Sequence, residues 1–188
     1  MNNNKLVLIA DKLNKTNVKW GIGGSRLLYQ HGLIDVVNDL DIIVSKADVE
    51  PVIGELRSLG DDINANRLGP YKTTFYYKFN IMGLPVDIMG EFKIEYENGI
   101  YVLPFEKHEV EYFNIHGIEV PFCTLEDWFI LYQLIPNREE KVQIIENYLM
   151  DEGIRHPEVL QQSLANPLPE KIRNRISPLI NEAYNGGM

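Results

Sequence analysis

Apolar residues recur at helical spacing near the start of the chain, where Leu6, Ile9 and Leu13 predict a helix over residues 4–15. Val18 to Ile22 reads as a short strand, and Arg26 to His31 as a short helix stopped by Gly32. Asp39 and Asp41 then open a β-branched run, Ile42-Ile43-Val44, that predicts a buried strand. From Ala47 to Leu59, Val49, Val52, Ile53 and Leu56 fall on one side of a helix with Gly60 as its stop. Between Lys72 and Phe122 the period changes from helix to strand. Phe75, Tyr77 and Phe79 alternate, and Met82-Gly83, Asn98-Gly99 and His116-Gly117 mark turns. Thr124, followed by Glu126 and Asp127, predicts an N-cap and acidic first turn for a helix through Ile135. Pro136 interrupts, and Arg138 to Met150 continues with Val142, Ile145 and Leu149 as its apolar stripe. Pro157 and Pro167 to Pro169 divide the remainder into short helices. The order of elements gives an α+β fold: a mixed β-sheet flanked by helices over residues 1–122, and a small helical region over 123–188.

Candidate chemistry concentrates at two places in this pattern. Gly23-Gly24-Ser25 sits at a strand-to-helix turn. Glycine lets backbone approach a ligand closely, and a helix N-terminus turns free N–H groups toward an anion. Ser25 offers a hydroxyl to that anion, or serves only as the helix N-cap. Asp39 and Asp41 project from one face of their strand, about 7 Å apart along the backbone. Like charges so placed repel, and burial raises the cost. A divalent cation resolves the conflict, and carboxylates with phosphate oxygens form an ordinary Mg²⁺ shell.

Gly21-x-Gly23 with an acid some residues later is faintly similar to a dinucleotide-binding turn. Arg26 at the third glycine position is too large for close helix–strand packing there. The aspartates also begin their strand, whereas a ribose-binding acid ends one. The two readings differ in geometry. A dinucleotide-binding unit needs strands 18–22 and 40–44 parallel; aspartates facing the glycine turn need them antiparallel.

Ile22-Gly23-Gly24-Ser25, a spacer, and Asp39-Leu40-Asp41-Ile42 resemble the signature of the nucleotidyltransferase superfamily. The likeness covers mainly residues 15–90. It implies a third carboxylate on a neighbouring strand, for which Asp87 in Leu84-Pro85-Val86-Asp87-Ile88-Met89 is the best match. It further implies that Asp39, Asp41 and Asp87 are the catalytic, metal-binding set, holding two Mg²⁺ ions on the triphosphate of an NTP co-substrate. Gly23, Gly24 and Ser25 would hold the outer phosphates. Asp87 would also help to deprotonate an acceptor hydroxyl. In antitoxin-paired relatives an Arg-x-Lys-Asp sequence follows the helix after the sheet. Arg138-Glu139-Glu140-Lys141-Val142 matches it in part, without the aspartate, and makes Lys141 a phosphate or acceptor contact or else a solvated lysine.

Composition narrows the acceptor. The chain has 188 residues, 45% hydrophobic and 24% charged, with a net charge of −9, as expected of a soluble globular protein. Such acidity argues against gripping long nucleic acid through its phosphates and favours a small-molecule acceptor bearing positive charge. An RNA end such as tRNA, modified by a toxin-like enzyme with an antitoxin partner, is the alternative, and a non-catalytic nucleotide-binding domain is another. The single cysteine, Cys123, excludes an internal disulfide, and the four histidines show no ligand spacing. Neither a signal peptide nor a membrane span is expected, and a cytoplasmic location follows.

Overall fold

The computed structural model describes residues 3–63 and 69–185. In chain order the elements are α1 (Asn3–Asn14), β1 (Trp20–Ile22), α2 (Gly24–Gln30), β2 (Leu40–Val44), α3 (Val49–Leu56), β3 (Asp61–Ile63), β4 (Phe75–Ile81) and β5 (Leu84–Gly90). They continue as β6 (Lys93–Tyr96), β7 (Gly99–Val102), β8 (Glu111–Ile115), β9 (Ile118–Phe122), α4 (Leu125–Leu134), α5 (Glu139–Glu152), α6 (Pro157–Ser163) and α7 (Glu170–Asn185). A mixed sheet runs β3-β4-β5-β2-β1-β9-β8, and β6 and β7 form a separate hairpin.

The sheet's centre decides the rival readings of the glycine turn. β1 and β2 are antiparallel, with Trp20 opposite Val44 and Ile22 opposite Ile42. The chain does not make a dinucleotide-binding unit here. β2 runs parallel to β5, and β1 parallel to β9, so β2 and β1 sit buried with neighbours on both sides. Leu40, Ile42, Val86 and Ile88 are fully buried on one face of the sheet, where they meet Leu6, Ile9 and Leu13 of α1 in a continuous apolar cluster. Trp128, Phe129, Val142, Ile145 and Ile176 of the C-terminal helices belong to the same cluster.

Local chemistry explains the remaining boundaries. Met82-Gly83 and His116-Gly117 both take positive φ at each central position, the tight hairpin geometry that suits twisted strands. In each, an asparagine side chain accepts from the glycine N–H: Asn80 from Gly83 at 2.7 Å and Asn114 from Gly117 at 3.0 Å. The helix expected from Ala47 is shorter. Pro51 has no N–H to give the Ala47 carbonyl, so Lys46–Asp48 is a 3₁₀ turn and α3 begins at Val49. Gly60 is not a left-handed stop; a Cβ there would lie 2.3 Å from the Asn80 carbonyl oxygen, so glycine permits the chain to close on β4. β3 was not legible: Asp61, Asp62 and Ile63 are exposed, held at the sheet edge by backbone pairing with β4. Pro157 does open α6, but α7 runs 16 residues, not a short piece. No helix among the described residues is long and apolar enough to cross a membrane.

A charged knot ties the last third of the chain to the sheet. Glu111 on β8 lies 3.2 Å from His156 Nε2 and 3.4 Å from His31 Nε2, and Glu126 accepts from the backbone N–H groups of Arg155 and His156. Hydrogen bonding to Glu111 raises His156 from 6.5 to about 9, and bonding to His156 and His31 lowers Glu111 from 4.5 to about 2. A raised histidine stabilises the fold fully below pH 6.5 and loses its contribution as pH climbs through about 9. A depressed carboxylate stabilises above pH 4.5 and loses its contribution as pH falls toward about 2. The melting-temperature gap between the wild type and His156→Ala should therefore be widest between pH 4.5 and 6.5 and close above about 9. A gap that grows from pH 7 to 10 would contradict the pairing.

Candidate active site

Strand alternation builds the site. With Leu40, Ile42, Val86 and Ile88 turned to the core, Asp41 and Asp87 must face the other way, and they stand directly opposite each other across the β2–β5 ladder. Asp39, just before β2, lines the same cavity as Asp41 and Asp87. Lys78 of β4 is the register partner of Asp87, and the Gly23 N–H donates to the Asp41 carbonyl at 2.9 Å. One row across the sheet therefore reads Lys78, Asp87, Asp41, Gly23. The carboxylates face the glycine turn.

That turn requires its glycines for two different reasons. Gly24 sits at φ +60, and a Cβ on it would fall 1.8 Å from Asp41 Oδ2. The Asp41 carboxylate lies directly against its backbone. At Gly23 a Cβ would fall 2.0 Å from Cζ2 of Trp128, whose indole α4 lays over the bend. The N-cap of α2 is Gly23, with no side-chain cap, so the capping alternative for Ser25 does not hold. Ser25 is in the first turn, and its Oγ accepts a 2.7 Å hydrogen bond from Lys141 Nζ of α5.

These groups line one cavity of about 920 Å³ that holds Gly24, Ser25, Asp39, Asp41, Asp87 and Lys141. Tyr71, Phe92, Trp128 and Tyr132 add an aromatic wall. Sequence reasoning quoted Arg138 at the head of the partial motif but gave it no role; it also lines the cavity and lies 6.0 Å over the Tyr132 ring, beside Lys141 at 5.2 Å. The signal was present in its spacing: three residues before Lys141, one helical turn away. The same reasoning missed Tyr76 and Lys78, which share the outward face of β4 between the aromatic positions that the alternation picked out.

Electrostatics favour a cation. Burial, then Asp39, then Asp87 push Asp41 up to about 7, against the pull of Lys141 and Lys78. The lysine at 141 is itself lowered, by burial first and by Arg138 next. Three carboxylates of this kind are hard oxygen donors suited to Mg²⁺, and a divalent ion among them would remove the repulsion that raises Asp41. Even so, among the described residues no group of three or more His, Cys, Asp or Glu is already arranged around a metal position. Asp87 shows why. Its Oδ1 lies 3.0 Å from Lys78 Nζ, and its Oδ2 accepts from the Tyr76 hydroxyl at 3.0 Å and from Lys78 at 3.4 Å.

The histidines stand outside this cavity. His108 Nδ1 is 2.6 Å from Asp127 Oδ1 in the core, while His31 and His156 belong to the Glu111 knot. Cys123 is buried, its thiol raised well above its usual range by burial.

No family model matches the chain, and no curated protein matches it in sequence. Solved structures do resemble it. A candidate nucleotidyltransferase from Thermotoga maritima, TM1012, is 21% identical with a TM-score of 0.59, over 79% of this chain and 92% of that one. The lincosamide antibiotic adenylyltransferase LnuA, solved with lincomycin, is 15% identical with a TM-score of 0.54, over 78% and 97%. ANT(2")-Ia, solved with adenylyl-2"-tobramycin, is 11% identical with a TM-score of 0.54, over the full length of both chains. The chain has the nucleotidyltransferase fold.

Proposed function

We propose that this protein is a nucleotidyltransferase that moves an NMP from an NTP onto a hydroxyl of a small-molecule acceptor. The observation that carries the reading is the row of Asp87 and Asp41 facing the Gly23–Ser25 bend, with Lys141 bonded to Ser25. Fold likeness to adenylyltransferases solved with antibiotics supports a small-molecule acceptor. The acidic balance of the chain supports an acceptor with positive charge over a long nucleic acid.

Each residue's part follows from its position. Ser25, Lys141 and the backbone at Gly24 bind the triphosphate, with Arg138 beside them as a second cation. Asp39 and Asp41, with Asp87, are the donors offered to Mg²⁺. Bound there, the ion neutralises triphosphate charge and polarises the phosphoryl oxygens. Asp87 takes the acceptor's proton as the hydroxyl oxygen bonds to the α-phosphorus. The bond from that phosphorus to the bridging oxygen breaks, and pyrophosphate leaves. Trp128 and its aromatic neighbours keep water from the bend.

The test is pyrophosphate release from each of the four NTPs with Mg²⁺, against aminoglycosides, lincosamides and total tRNA. Release with a small molecule supports the reading; release with tRNA alone moves the acceptor to RNA; release with none removes the transferase assignment. Ser25→Ala should weaken NTP binding by about 1–2 kcal/mol and Lys141→Met by about 1.5–3 kcal/mol. Because the two side chains touch, the double variant should lose less than the sum of the two, measured by calorimetry. Strict additivity would mean that they do not share a phosphate.

A further inference from the structure

Asp87 is the carboxylate whose surroundings differ from those of its partners. Lys78 stands opposite it in the β4–β5 ladder, so the backbone register alone brings the two side chains together. The ammonium lies 3.0 Å from Oδ1 as an ion pair and donates to Oδ2 at 3.4 Å, where the Tyr76 hydroxyl also donates at 3.0 Å; Oδ1 accepts no hydrogen bond. An ammonium has only donors to give, and its positive charge beside the carboxylate opposes a second cation there. Lys78 shares that row with Asp41 but forms its ion pair with Asp87, and Lys141, across the cavity, is bonded to Ser25.

We propose that Lys78 is a resident counter-ion for Asp87, so that the nucleotide-loaded protein holds one divalent cation, on Asp39 and Asp41. A second ion enters at Asp87 only when Lys78 is gone. This rests on the transferase reading of the cavity, replaces the two-ion arrangement that the resemblance implies, and withdraws Asp87 from the Mg²⁺ donors named above while keeping it as the acceptor's base. Lys78 is in this sense a positioning residue: it holds the carboxylate, and the carboxylate meets the acceptor. The ion pair is partly screened, with Lys78 about one-third exposed (32%) and Asp87 15% exposed, so an ion at millimolar concentration can compete once the ammonium is removed.

The experiment counts Mn²⁺ bound per chain in the presence of a non-hydrolysable NTP analogue, by electron paramagnetic resonance and by calorimetry. Wild type, Lys78→Met and Lys78→Gln are compared, with folding checked by circular dichroism. One ion in wild type and two in either variant, with spin–spin broadening only in the variant, is the expected result. Two ions in wild type overturn the inference while leaving the transferase reading intact. One ion in a folded variant also overturns it and makes Lys78 an ordinary structural pair. No bound ion in any of the proteins removes the cation site itself, and the inference with it.

Discussion

Asp41→Asn should lower NMP transfer by about 10³-fold or more while raising thermal stability above pH 7. The catalytic loss follows from position: Asp41 lies on the backbone of Gly24 and faces Asp87 across the β2–β5 ladder, so it stands where phosphate and cation would meet. The stability gain follows from charge. Burial, Asp39 and Asp87 raise this carboxyl from 3.8 to about 7, so ionising it costs the folded state free energy. That cost begins above pH 3.8 and is complete above about 7, because the folded protein holds the proton more tightly than the unfolded chain. The variant should therefore melt higher than wild type at pH 8 and converge with it near pH 4. Mg²⁺ with NTP should raise the wild-type melting temperature at pH 8 and leave the variant nearly unmoved. Transfer at the wild-type rate by the asparagine variant would remove Asp41 from the site.

Asp127→Ala should destabilise the protein by about 3–5 kcal/mol, the cost of leaving one member of a buried polar pair alone. Asp127 Oδ1 meets His108 Nδ1 at 2.6 Å, and both side chains are 1% exposed. Its Oδ2 accepts from the Thr124 hydroxyl at 3.0 Å, while its own N–H donates to Thr124 Oγ1 at 3.1 Å, closing the cap of α4. The variant orphans an imidazole and frays a helix start together. Removing both partners in Asp127→Ala/His108→Leu should recover part of the loss, since no polar group is then stranded in the core. Urea unfolding followed by circular dichroism measures both. A loss below about 1 kcal/mol in the single variant would show that the pair contributes little. NTP binding should fall too, because α4 carries Trp128 onto Gly23 and Tyr132 toward Ser25.

What could be read in advance was whatever the chain writes in consecutive residues. The bend at 23–25, the aspartates at 39 and 41 and the alternation around Asp87 are each local patterns, and the antiparallel return of β2 onto β1 followed from asking which way the aspartates must face. The Thr124 cap was local as well. Partnerships across the chain were not legible. Lys141 meets Ser25 from 116 residues away and His108 meets Asp127 from 19, and neither spacing carries a periodic signal. Lys78 was hidden differently. It lies on the strand that was recognised, but attention to Phe75, Tyr77 and Phe79 selected one face and passed over the other. Local errors had local causes: Pro51 delays α3, and β3 is an edge strand of exposed residues that gives no apolar pattern to detect.

The indole laid over Gly23 gives the site an optical label of its own. Trp128 is buried against Phe92 and Tyr132, its ring 6.0 Å from each, on the wall of the same cavity. Any ligand that settles on the bend alters the polarity felt by that chromophore. Ultraviolet emission can thus follow occupancy in real time without a dye, and Trp128→Phe provides the blank that separates its signal from that of Trp20.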